Sequence, residues 1–165
     1  MLIFMKGFFD RLRCAKLSSY LLEQHRNKKL RFEGDNAHYK NSYGASLPEF
    51  ESLLREMTPM IMEETKRSDL AVKNSYSRIY FNNSTLKRHV DRKGLDVTMT
   101  VSIFNNTGQD WPLFVETPEG VKPVVTGIGD AGIILGTKMY HWREPLVCAE
   151  DQMVMQCFFH WSLPD

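Results

Sequence analysis

The apolar positions of this chain follow two rhythms, and the change between them comes near residue 76. Upstream, Phe50, Leu53, Leu54 and Met57 fall at i, i+3, i+4 and i+7, which draws one stripe along a helix. Ser46-Leu-Pro-Glu49 precedes the stripe with the form of a capping box, Ser46 as N-cap and Glu49 reaching back to it. Pro59 has no N–H to offer Arg55, so the helix is predicted to end there or to give way to a second one over Met60 to Lys66. An earlier helix is expected over Asp10 to Gln24, with Leu17, Tyr20 and Leu21 on one side. Between these helices, residues 27–43 are polar and turn-rich, the composition of an irregular or short-stranded connection.

Downstream the period is two. Leu95, Val97, Met99, Val101 and Ile103 alternate with Asp96, Thr98, Thr100 and Ser102. Shorter strand-like runs follow over 113–116, 123–126, 132–135, 139–142 and 153–161. Asn105-Asn106-Thr107-Gly108, Pro118-Glu119-Gly120 and Gly127-Ile-Gly-Asp130 punctuate them as turns. Many short strands with regular turns predict a sandwich or barrel, here with the helices packed on one sheet. The expectation is therefore one α+β domain over residues 1–165, with 1–75 mainly helical support and 76–165 the β core. Neither an internal repeat nor a low-complexity tract interrupts it.

Composition narrows the setting without naming a task. The length of 165 residues suits one domain with a real core. Twenty-one basic and 20 acidic residues leave a formal net charge of +1, which gives no reason to expect a nucleic-acid or membrane partner. The apolar opening Met1-Leu-Ile-Phe-Met is broken by Lys6 and followed by Asp10, Arg11 and Arg13, unlike a signal peptide. Cys14, Cys148 and Cys157 are odd in number and lack CxxC spacing, so they read as reduced thiols of a cytoplasmic protein.

Chemistry enters at His89-Val90-Asp91. On a strand, residues i and i+2 face the same way, so an imidazole and a carboxylate can meet one ion. A third ligand should come from a neighbouring strand, and His141 inside the apolar run Met139-Tyr-His-Trp142 is the candidate. Two His and one carboxylate suit iron(II) and leave coordination positions open, without the thiolates that favour zinc. His25 and His38 lie in polar surroundings and read as surface residues, and Trp111, Trp142 and Trp161 as packing. Arg88 and Arg92 flank the HVD segment, either to greet an anionic substrate or as solvated charges.

These residues also carry a family resemblance. Ser77-Arg-Ile-Tyr80, Arg88-His-Val-Asp-Arg92, Trp111-Pro-Leu-Phe-Val-Glu116, Gly129-Asp130-Ala131, His141-Trp-Arg-Glu-Pro145 and Gln156-Cys-Phe-Phe-His160 occur in order over roughly residues 40–163. The set resembles the 2-oxoglutarate/Fe(II)-dependent oxygenases of the prolyl 4-hydroxylase-like kind, particularly small uncharacterised members. The resemblance implies a double-stranded β-helix, a jelly roll of cupin-like form. It implies Fe(II) on His89, Asp91 and His141, with 2-oxoglutarate as cosubstrate and O₂ as oxidant. The activity implied is hydroxylation of a small molecule or a protein side chain, and no particular substrate comes with it.

The pattern departs from the family in one place. Prolyl-hydroxylase-like enzymes set a basic residue about ten positions after the distal His, to pair with the C5 carboxylate of 2-oxoglutarate. Here Ala149-Glu-Asp-Gln-Met-Val-Met-Gln156 has two acids and no base. By strand parity Arg143 shares a side with His141 and is the best substitute, with Arg78, Tyr80, Gln156 and His160 as helpers. On the last strand Gln152, Val154, Gln156, Phe158 and His160 share one unusually polar face, which is assigned to the barrel interior. The missing base also keeps two other readings open: a cupin-like metal protein that does not turn over 2-oxoglutarate, and a catalytically silent binding module.

Overall fold

The computed structural model describes residues 1–33 and 38–165. Strand β1 (Leu2–Met5) leads into helix α1 (Arg11–Arg26), followed by the short strands β2 (Arg31–Phe32) and β3 (Ser42–Ala45) and by helix α2 (Pro48–Thr65). The chain then runs through β4 (Ala71–Tyr80), β5 (Leu86–His89), β6 (Val97–Asn105), β7 (Leu113–Thr117), β8 (Gly120–Val124), β9 (Ala131–Ile134), β10 (His141–Arg143) and β11 (Val154–Ser162). No helix among the described residues is long and apolar enough to cross a membrane.

Both helices differ in detail from their sequence patterns. Asp10 caps α1 through a hydrogen bond from the Arg13 N–H (2.7 Å), and His25 and Arg26 occupy its last turn, where cations meet the negative end of the helix dipole. The capping box expected at Ser46 is not formed. Leu47 is the N-cap of α2 and offers no side-chain bond, while the Ser46 hydroxyl donates to the Ser75 carbonyl (2.7 Å). Glu51 Oε1 accepts from the Ser75 N–H and hydroxyl at 2.8 and 3.0 Å, so these polar groups bind the helix to β4 instead of closing its own end. Nor does Pro59 stop α2. It forfeits one backbone bond, but Phe50, Leu53, Leu54, Met57 and Ile61 are buried on both sides of it, and that packing offsets the loss.

The β region begins at Ala71, earlier than the change of rhythm near residue 76, and β1 to β3 lie within the first 75 residues. Ala71, Val72 and Lys73 are exposed, so the start of β4 shows no alternation to read. The edge strand β8 likewise begins at Gly120 and not at Pro123. Thr117 already pairs with Gly120 across the turn, where Gly120 takes a φ of 113° that side chains disfavour. Pro123 sits on this edge strand, where its missing N–H costs little.

All strands pair antiparallel, in a seven-stranded sheet ordered β1-β9-β6-β11-β4-β3-β2 and a four-stranded sheet ordered β5-β10-β7-β8. The helices cover one face of the larger sheet. Val97, Met99, Val101 and Ile103 of β6 and Met155, Cys157, Phe159 and Trp161 of β11 join Leu21, Phe50, Leu54 and Ile61 in one core. The same two strands turn Thr98, Thr100, Phe158 and His160 the other way, into the cavity between the sheets. The alternation in β6 is thus apolar toward the helices and hydroxyl toward the cavity, with both faces buried.

A polar bond crosses this core: the Trp161 indole N–H donates to the Thr58 hydroxyl (2.9 Å), which donates in turn to the Leu54 carbonyl (2.7 Å). Replacing Thr58 with Val keeps the shape and orphans the indole N–H. Urea unfolding should show a loss of about 1–3 kcal/mol with an unchanged slope.

Candidate metal centre

His89 ends β5 and His141 opens β10, and the two are direct cross-strand partners. Asp91 is not on the strand, as parity had suggested, but two residues beyond it. There its N–H donates to the Gly136 carbonyl (2.8 Å), which fixes the segment after β5 against the turn before β10. One ligand atom from each of the three side chains falls within 4.8 Å of the others. Both imidazole Nε2 atoms lie 3.4 Å from Asp91 Oδ1, and the two rings are 4.3 Å apart.

The surroundings set what these atoms can do. His89 Nδ1 faces the Lys87 carbonyl at 2.7 Å and His141 Nδ1 faces the Met139 carbonyl at 2.8 Å. A carbonyl only accepts, so each Nδ1 carries a proton, and each ring turns its Nε2 to the centre. Two imidazole nitrogens and a carboxylate oxygen therefore converge on one point, a donor set that fits a cation once any Nε2 proton is given up. Burial works to raise the pKa of Asp91, but its contacts with His141 and His89 outweigh that and hold its carboxyl well below the usual carboxylate range. Its other oxygen accepts from the Thr98 hydroxyl at 2.5 Å. Gly136 makes the approach possible, because a Cβ there would fall on Asp91 Oδ2, Thr98 Oγ1 and the Leu95 carbonyl.

The triad opens into a cavity of about 580 Å³ between the sheets. This is within the range of small-molecule sites. Arg78, Tyr80 and His160 line it with the triad. Arg143 is not among the residues that line it: it is 1% exposed, with its guanidinium 4.9 Å from the Trp111 ring and donating to the Trp111 carbonyl. Among the described residues its Nε and remaining terminal nitrogen have no partner, and neither does the buried Tyr80 hydroxyl. Burial lowers the Arg143 pKa to about 10 and pushes that of Tyr80 up to about 12. Gln156 accepts from the Thr100 hydroxyl (3.1 Å), and His160 pairs with Asn74 (3.0 Å).

No family model matches the sequence, and no curated protein is detectably similar to it. Solved structures are. A prolyl-4-hydroxylase of Pseudomonas putida is 12% identical over 99% of this chain and 92% of its own, with a TM-score of 0.78. A viral collagen prolyl hydroxylase from Paramecium Bursaria Chlorella virus-1, in complex with 2OG, is 11% identical over 98% and 96%, with a TM-score of 0.69. An oxidoreductase of the 2OG-Fe(II) oxygenase family from Burkholderia pseudomallei is 12% identical over 98% and 84%, with a TM-score of 0.70. The fold is their jelly roll. At these identities the likeness is one of architecture, and the chemistry has to be argued from the side chains.

Several site residues escape a reading of the sequence. His38 is no free surface residue: its ring stands edge-on to His89 at 4.5 Å, and burial, with His89 and Arg78 nearby, pushes its pKa down to about 4. Tyr39 lies over the Arg78 guanidinium at 3.6 Å. Both come from a connection whose polar composition gives no sign of a pocket wall. Tyr76 was findable, since Tyr76, Arg78 and Tyr80 stand at i, i+2 and i+4 on one strand. The two flanking arginines divide: Arg92 lines the cavity, whereas Arg88 pairs with Glu116 at 2.6 Å and packs on Tyr140 outside it.

Thr98→Val would remove a hydrogen bond from Asp91 while keeping the size of the side chain. Anaerobic competition titration should show a divalent metal bound roughly 10- to 100-fold more weakly, with the fold retained.

Proposed function

We propose that this protein is a non-haem Fe(II)/2-oxoglutarate-dependent oxygenase that hydroxylates a small molecule or a protein side chain. His89, Asp91 and His141 would hold the iron from one side and leave its remaining positions open. With iron and 2-oxoglutarate bound, the reaction would consume O₂, release succinate and CO₂, and convert a substrate C–H bond to C–OH.

The observation that carries the reading is the pairing of two unsatisfied features in one barrel. Three metal-ligating side chains converge beside the cavity, and a fully buried arginine nearby has no carboxylate partner among the described residues. An uncompensated buried guanidinium is costly, and a carboxylate that accepts two of its N–H groups is the partner best shaped to relieve it. The C5 carboxylate of 2-oxoglutarate would meet Arg143 and the Tyr80 hydroxyl. That accounts for the absence of a base over residues 149–156, because the cation comes from β10 and not from β11. Gln156 and His160 already have protein partners, and so serve to order the wall. The free thiols Cys14, Cys148 and Cys157 fit a cytoplasmic setting, and we read the chain as one domain.

Anaerobic titration with Fe(II) and then 2-oxoglutarate tests this. A weak visible charge-transfer band should appear with both present, and His141→Ala should abolish iron uptake. Arg143→Met should retain iron and weaken 2-oxoglutarate by roughly 10- to 100-fold. Metal uptake with no response to 2-oxoglutarate would make the protein a metal-binding barrel of another kind, and no metal uptake a silent binding module.

A further inference from the structure

A second buried cation faces the same cavity. Arg78 is 3% exposed, yet it lines the pocket that holds the triad. Its guanidinium lies 3.6 Å from the centre of the Tyr39 ring, 5.0 Å from Tyr76 and 6.0 Å from Tyr80. Among the described residues it makes one hydrogen bond, from Nη1 to the Ser42 hydroxyl (3.0 Å), and no ion pair. Tyrosine faces stabilise a guanidinium, but they neither cancel its charge nor use its in-plane N–H groups.

Counting charge across the pocket shows what is missing. This step rests on the oxygenase reading above. In the loaded site the charges of iron(II) and Arg143 balance those of Asp91 and the two carboxylates of 2-oxoglutarate. Glu33, the other acid among the described residues that line the cavity, lies 3.9 Å from Arg31. Among the described residues Arg78 and Arg92 are left over, and Arg78 is the one framed by rings, with N–H groups to spare beyond its bond to Ser42. A planar fork of N–H groups in a desolvated aromatic frame is matched by a carboxylate.

We propose that Arg78, framed by Tyr39 and Tyr76, is the substrate-recognition residue of this pocket, and that the substrate is a small molecule bearing a carboxylate. The cavity of about 580 Å³ leaves room for such a molecule beside the cosubstrate. Arg78 would anchor the acid group and Arg143 the cosubstrate, so the two anions would not compete for one cation.

The test uses the full chain loaded with Ni(II) and saturating 2-oxoglutarate, so that nothing turns over. Acetate, benzoate and N-acetylglycine are titrated calorimetrically, each against its neutral amide. At least one acid should bind ten or more times tighter than its amide. Arg78→Met should erase that preference while changing 2-oxoglutarate affinity less than threefold. Arg78→Lys, which keeps the charge and loses the fork, should retain the preference at reduced affinity, and it guards against a Met variant that fails to fold. Equal binding of acids and amides to the wild type would overturn the proposal with the oxygenase reading intact. So would a tenfold loss of 2-oxoglutarate binding in Arg78→Met with none in Arg143→Met, which would exchange the two arginines. Binding of a blocked glutamate-containing peptide but of no free acid would overturn the small-molecule assignment. Failure of the wild type to take up 2-oxoglutarate at all would remove both readings, and it would be seen before any acid is added.

Discussion

Every side chain of β11 between Met155 and Trp161 has to satisfy one of two environments, because the strand is hydrogen-bonded on both edges and covered on both faces. Met155, Cys157, Phe159 and Trp161 meet the helices, and Gln156, Phe158 and His160 meet the space between the sheets. A one-residue slip would exchange the two sets and place Gln156 and His160 in the core. Packing of α1 and α2 therefore fixes the register that positions the cavity wall. On β6 the same rule puts Thr98 where its hydroxyl reaches Asp91. The polar side chains of the site are thus placed by the apolar contacts behind them.

Electrostatics completes what packing begins. Asp91 is a desolvated carboxylate surrounded by groups that favour its charge, and Arg143 is a desolvated cation with two nitrogens left unsatisfied. Arg143 shares its side of β10 with His141, both buried, while Trp142 between them turns outward to stack on Phe114. A short strand thereby buries an imidazole and a guanidinium on one of its sides, the first at the cavity and the second against Trp111. Its register against β5 shifts between these two residues, where His141 pairs with His89 but Arg143 with Leu86.

Much of this was legible in the sequence, for physical reasons that differ from place to place. The alternation over β6 and β11 was readable because each strand separates an apolar from a polar environment, and side-chain period follows directly from that. His89, Asp91 and His141 were brought to one point by reasoning from residue type and strand parity, although the parity argument for Asp91 was wrong in detail. Asp91 reaches the centre because Gly136 and Thr98 hold an irregular segment, and no short-range pattern encodes that support. Ser46 misled because a hydroxyl at a helix start serves equally well to tie the helix to a strand, and only the tertiary partner, Ser75, decides. His38 and Tyr39 were illegible because they belong to a polar connection, and what makes them part of the site is proximity to strands far along the chain.

The position of the triad has a consequence for the molecule as a whole. His89 and Asp91 stand on one side of a 52-residue excursion of the chain that returns at His141, taking in β6 to β9. A cation held by all three would act as a removable cross-link that closes this excursion, as a disulfide would, with a strength set by supply and not by covalency. The persistence of the folded barrel would then vary with the free concentration of the ion, linking the lifetime of the protein to the metal status of its surroundings.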